Sequence, residues 1–145
     1  MIYITQNSTN TIMVSVSEYK ELSSPTYLWA LQNSQSGTRT TFIPRNITNV
    51  YPSFYANKYD VFQFDTIKTQ PENYIASGSS NCNLHLIDNN QYWLGIYEQS
   101  SPTNLQTSLS HDKLLSSLAF IFVSEDNTYY TGDTNNSNNI IYYGG

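Results

Sequence analysis

Short runs in which apolar residues take every second position recur along almost the whole chain, each stopped by a cluster of Asn, Ser, Thr or Pro. Alternation of period two gives each face of an extended strand its own side-chain set, a pattern that a helix cannot use. From Thr11 to Tyr19, Ile12, Val14 and Val16 fall on one face, with Met13, Ser15 and Ser17 on the other. Between Thr26 and Gln32, Tyr27, Trp29 and Leu31 alternate with Leu28 and Ala30. Further strands are expected over Ile2–Thr5, Thr38–Ile43, Tyr59–Ile67 with Phe62 and Phe64 inward, Leu114–Val123 and Thr128–Thr131. Asn7-Ser8-Thr9-Asn10 and Ser23-Ser24-Pro25 supply turns, and Pro44 ends its strand because it has no N–H for the ladder.

Cys82–Ile87 also alternates, with Leu84 and Leu86 opposite His85 and Ile87. Asp88-Asn89-Asn90 follows, a hairpin-type turn because Asp and Asn tolerate positive φ. Gln91–Gln99, QYWLGIYEQ, then reads as the partner strand, so a β-hairpin is expected over 82–99. Trp93 and Tyr97 share one face and Tyr92, Leu94 and Ile96 the other, so at least one face belongs to the core. Gly95 inside this strand marks a bulge or a close backbone approach. Leu114–Val123 is apolar on both faces and needs cover on both, from its own fold or from another chain. The segment Asn104–Lys113 is expected to be a helical turn or an ordered loop.

About nine or ten short strands at roughly ten-residue spacing indicate an all-β antiparallel β-sandwich, immunoglobulin-like or jelly-roll-like. A closed barrel is the alternative. No linker or long-period repeat divides the chain, so residues 1–145 form a single domain. Composition agrees. Thirteen Tyr and six Phe favour strands, Asn and Ser favour turns, and the usual helix formers are sparse.

Net charge excludes some functions. The chain carries −5 and has only six Lys and Arg residues, scattered singly, so no basic face can be built and direct nucleic-acid binding is not expected. No apolar run is long enough to span a membrane, and the start MIYITQNSTN has neither the basic nor the long apolar region of a secretory signal. The single Cys82 cannot form an internal disulfide and reads as a packing or surface residue.

Catalytic motifs are sparse. His85 alternates with leucines and faces solvent or an interface, while in His111-Asp112 the carboxylate could orient the imidazole. Metal sites need three or four converging ligands, and no HxH, CxxC or carboxylate-rich loop offers them, so no metal or cofactor is expected. There is no GxSxG elbow. Asp60, Asp65 and Glu98 would pair as glycosidase carboxylates only by an accident of folding.

The opening holds a short strand (Ile2–Thr5), an Asn/Thr turn (7–10), a valine-rich strand (12–16) and Ser23-Ser24-Pro25-Thr26-Tyr27-Leu28. Later come the aromatic strand Tyr92–Gln99, the turn 100–105, the strand 118–123 and a Tyr/Asn-rich stretch over 128–143. In this order the sequence resembles small β-rich virion proteins of tailed bacteriophages, notably crAss-like phages and other phages of Bacteroidetes-type hosts. It differs from them in an unusually aromatic 45–58 stretch and in the lack of a charged residue in 114–123. The resemblance implies a non-enzymatic virion structural protein with an immunoglobulin-like sandwich, assembled in many copies in the host cytoplasm. Its partners would be other virion subunits (major capsid, neck or tail proteins) and copies of itself, with no nucleic acid and no membrane.

Three functions are weighed. The first is a capsid decoration or accessory protein, with a tail, neck or head-fibre component as its variant. The second is a carbohydrate- or receptor-binding module with Trp29, Trp93 or the Tyr51-Phe54-Tyr55 stretch as stacking platform. An enzyme is the third. The candidate contact surface is Tyr51, Phe54 and Tyr55 together with Ile140, Ile141, Tyr142 and Tyr143.

Overall fold

In the computed structural model, residues 2–48, 59–87, 89–124 and 139–143 are described, with side chains up to Leu114. Nine strands lie in these segments: β1 (Ile2–Thr5), β2 (Thr9–Val14), β3 (Thr26–Asn33), β4 (Arg39–Phe42), β5 (Arg45–Asn46), β6 (Asp60–Asp65), β7 (Gln91–Gln99), β8 (Asp112–Ser124) and β9 (Asn139–Tyr143). They make a five-stranded sheet in the order β1-β8-β7-β3-β4 and a four-stranded sheet in the order β5-β6-β2-β9. The chain is an all-β sandwich. Most pairings are antiparallel, but β1 runs parallel to β8 and β9 parallel to β2.

This connectivity is the immunoglobulin-like one rather than the jelly roll. Lettered in that scheme, β1 to β8 are A′, B, C, C′, D, E, F and G, and β9 takes the place beside strand B. Two local features agree. Trp29 on β3 is buried between the sheets, where antibody domains bury the tryptophan of strand C. Tyr92, near the start of β7, accepts a hydrogen bond from the Ile87 N–H at 3.1 Å, five residues upstream, as in a tyrosine corner.

The core follows from the alternation. Ile12, Val14 and Val16 meet Tyr27, Trp29 and Leu31, with Phe62 and Phe64 from β6 and Tyr92, Leu94 and Ile96 from β7. Trp29 lies at the centre, its ring centroid 5.1 Å from Phe62, 5.9 Å from Phe42 and 6.3 Å from Phe64. Such tilted and edge-on pairs suit the ring quadrupoles and weld the sheets without a disulfide. Cys82 is buried in the same core, and burial pushes its thiol pKa up to about 12, so it packs as a small apolar group.

Several sequence expectations need correction. Residues 82–87 alternate inward and outward as expected, but they form no ladder with β7, so there is no 82–99 hairpin. Instead Asn83 bridges Asp65 and Asn73, which ties the segment to the end of β6. The reason is its side chain: Asn83 accepts from the Ile67 N–H and donates to the Ile67, Gln70 and Pro71 carbonyls. The strand expected over 11–19 ends at Val14, because Asp60 accepts from the Val16 and Ser17 N–H groups and starts a 3-10 turn at Ser17–Tyr19. Met13 is not on a polar face; with Ile47, Val61 and Tyr59 it forms a second small core outside the four-stranded sheet.

Other details hold. Gly95 sits at a register shift between β7 and β8, Asn89 has φ of 59°, and a 3-10 turn occupies Thr107–Leu109. β8 is paired on both edges, by β1 and β7, as a central strand. The stretch expected at Thr128–Thr131 lies outside the described residues.

Candidate functional site

Trp93, Gly95 and Tyr97 point to the outer face of the five-stranded sheet, because their neighbours Tyr92, Leu94 and Ile96 fill the core. Across the ladder, Gln32 pairs with both Trp93 and Arg39, Ala30 with Gly95 and Thr41, and Leu28 with Tyr97. On the other side Tyr97 pairs with Lys113. Trp93 and Tyr97 are therefore separated by a row in which Gly95 pairs with Ala30 on one side and Ser116 on the other, with Thr41 beyond Ala30. Four residues of extended chain span about 13 Å, so the small row leaves a trough between two aromatic walls.

That trough is a cleft of about 120 Å³ lined by Ala30, Gln32, Arg39, Trp93, Gly95, Tyr97 and Lys113. Arg39 reaches across the small row, and its Nη2 donates to the Tyr97 hydroxyl at 2.7 Å. Its Cζ lies 5.7 Å from the Tyr97 ring centroid, and Lys113 Nζ lies 5.5 Å from the same centroid. Two of the chain's six cationic side chains thus meet at one ring. Among the described residues neither has a carboxylate partner. The aromatic face offsets part of their repulsion, since a ring quadrupole attracts cations. Trp93 is 41% exposed. A larger groove of about 260 Å³ runs beside it along β4, past Thr40, Thr41, Tyr74 and Leu105, with Arg39 the only cation among the described residues that line it.

The titratable residues singled out from the sequence are not brought together there. Asp60 holds the turn at Ser17, and Asp65 accepts from Thr9 Oγ1 at 2.7 Å and Asn81 Nδ2 at 3.1 Å. Buried Glu98 accepts from the Glu21 N–H with both carboxylate oxygens and from the Leu22 N–H with one. His111 is not oriented by Asp112, which instead accepts from the Lys113 N–H; its Nε2 lies 3.1 Å from Glu21. Ligand atoms of Glu21, Glu98 and His111 lie within 4.8 Å of one another, but Glu98 is occupied by backbone N–H groups and the trio acts as a clasp on residues 21 and 22. His85 is exposed, with Nε2 2.6 Å from the Gln70 carbonyl oxygen.

Of the expected contact residues, Tyr51, Phe54 and Tyr55 lie outside the described residues. Ile140, Ile141, Tyr142 and Tyr143 fall in β9, a strand at the edge of the four-stranded sheet. Of the candidate stacking tryptophans, Trp29 is fully buried, whereas Trp93 is partly exposed. Arg39 and Lys113 were not legible as site residues. They are 74 positions apart, and only the β4-β3-β7-β8 pairing brings them to one ring. Compared with protein-family models, curated proteins and solved structures, the chain matches none of them.

Proposed function

We infer that the chain is a non-enzymatic virion structural protein of a tailed bacteriophage, a capsid decoration or accessory protein present in many copies. The observation that carries its working by contact is how its acid–base groups are used. Asp60, Asp65 and Glu98 each accept hydrogen bonds that fix loops, and His111 closes a clasp on the same loop as Glu98. Carboxylates that accept several short bonds serve the fold. The virion part of the reading is supported by the order of sequence motifs, from the Asn/Thr turn at 7–10 to the Tyr-rich residues of β9.

Attachment uses the edge of the four-stranded sheet. β9 ends that sheet, and residues 47–59, with Tyr51, Phe54 and Tyr55, connect its strands β5 and β6. A strand edge with no further strand beside it among the described residues is a ready template for a neighbouring chain, and tyrosines add large contact area at low entropic cost. A tail, neck or head-fibre position would use the same edge. Quantitative mass spectrometry of purified particles tests the assignment: the chain is expected at tens of copies or more per particle, and its absence would overturn it.

A second reading, a carbohydrate- or receptor-binding module, is favoured by the cleft between Trp93 and Tyr97. It is compatible with the first, because the cleft lies on the sheet opposite β9.

A further inference from the structure

We propose that the cleft on the outer face of the five-stranded sheet binds one acidic sugar residue, with Trp93 as stacking wall and Arg39 and Lys113 as carboxylate ligands. The proposal rests on the carbohydrate-binding reading and adds the ligand's charge.

Size is the first argument. A trough of about 120 Å³ between walls four residues apart takes part of a single ring, not a peptide helix or a strand. The second is wall chemistry. Sugar rings have an apolar C–H face that stacks on flat aromatics, and Trp93 presents such a surface at 41% exposure. Gln32, exposed beside it, can both donate to and accept from hydroxyl groups.

Charge is the third argument. The protein carries −5, yet two cations converge on the Tyr97 ring with no carboxylate partner among the described residues. Arg39 spends one N–H on the Tyr97 hydroxyl, and its remaining donors match a carboxylate fork. The Tyr97 hydroxyl fixes the guanidinium before a ligand arrives, which lowers the ordering cost of binding. Gly95 and Ala30 make the site possible, since larger side chains there would fill the trough.

The test uses the full chain and a matched pair of probes, a glucuronate-terminated disaccharide and its glucose-terminated counterpart, followed by ligand-observed NMR and Trp93 fluorescence. The glucuronate probe should bind more tightly, and Arg39→Gln or Lys113→Gln should each weaken it about tenfold or more. Trp93→Ala should abolish binding of both probes, with the melting temperature of each variant close to that of the parent. Equal binding of the two probes, unaffected by Arg39→Gln, would overturn the acidic preference and leave the carbohydrate reading intact. Failure of both probes to bind would overturn both. Binding of poly-glutamate but of neither sugar, lost in Arg39→Gln, would assign the cleft to an acidic protein partner and overturn the proposal.

Discussion

Trp29 offers the sharpest test of the packing. It is completely buried, and its ring lies between those of Phe42, Phe62 and Phe64, so it holds both sheets. Its indole Nε1 has no hydrogen-bond partner among the described residues. Two substitutions therefore separate two effects. Trp29→Ala removes the whole ring system from a dense core and should cost about 3–5 kcal/mol. Trp29→Phe leaves a cavity of a few tens of Å³, which at about 24 cal/mol per Å³ costs about 1 kcal/mol. The same change removes a buried N–H without a partner, which returns about 1–2 kcal/mol. The net effect of Trp29→Phe should lie within about 1 kcal/mol of zero. Urea unfolding followed by far-ultraviolet circular dichroism reads both, with Trp29→Ala lowering the midpoint by roughly 2 M. A Trp29→Phe variant as unstable as Trp29→Ala would show that Nε1 is engaged and refute the reasoning.

Other expectations follow from the same structure. Asn83→Ala removes a side chain that makes four hydrogen bonds to the 67–71 loop; it should cost about 2–3 kcal/mol and expose Lys68 to trypsin, seen in denaturation and limited digestion. Glu98→Ala should cost about 2–3 kcal/mol and speed tryptic cleavage after Lys20, while Glu98→Gln, which keeps one acceptor oxygen, should lose less. Burial pushes Cys82 from 9.0 up to about 12, and burial with the nearby Asp60 and Glu98 charges pushes Tyr27 from 10.0 up to about 12. The folded chain then keeps protons that the unfolded chain releases, so this stability is complete below about pH 9 and is lost on the way to about 12. Melting temperatures between pH 8 and 11 should fall accordingly, and Tyr27→Phe should flatten the decline above pH 10. Trp93→Ala, on the open face, should shift stability by less than about 1 kcal/mol, in contrast to Trp29.

Period-two alternation placed Phe62 and Phe64 inward on β6 and separated the two face sets of β2, β3 and β7, without saying for β3 and β7 which set faces the core; the separation works because a core face must be apolar at every second residue. Gly95 announced its bulge for a similar local reason. What escaped the sequence depends on distant partners. Residues 82–87 alternate like a strand, yet whether they pair with β7 is decided by the four hydrogen bonds of Asn83, which propensity does not record. Met13 looked solvent-facing beside Ser15 and Ser17, but Ile47, Val61 and Tyr59 cover it. The cleft was half legible: Trp93 and Tyr97 fall on one face by simple parity. Arg39 and Lys113 join them only through sheet order, and His111 meets Glu21, 90 positions away, while its neighbour Asp112 accepts from the Lys113 N–H instead.

The proposed division of the molecule into an attaching edge and an exposed face can be tested directly by hydroxyl-radical footprinting of the chain, free and on intact particles. Labelling of Tyr142, Tyr143 and the tyrosines at 51 and 55 should fall on the particle, while Trp93 and Tyr97 keep their reactivity. Protection of Trp93 and Tyr97 with unchanged labelling of β9 would contradict the account.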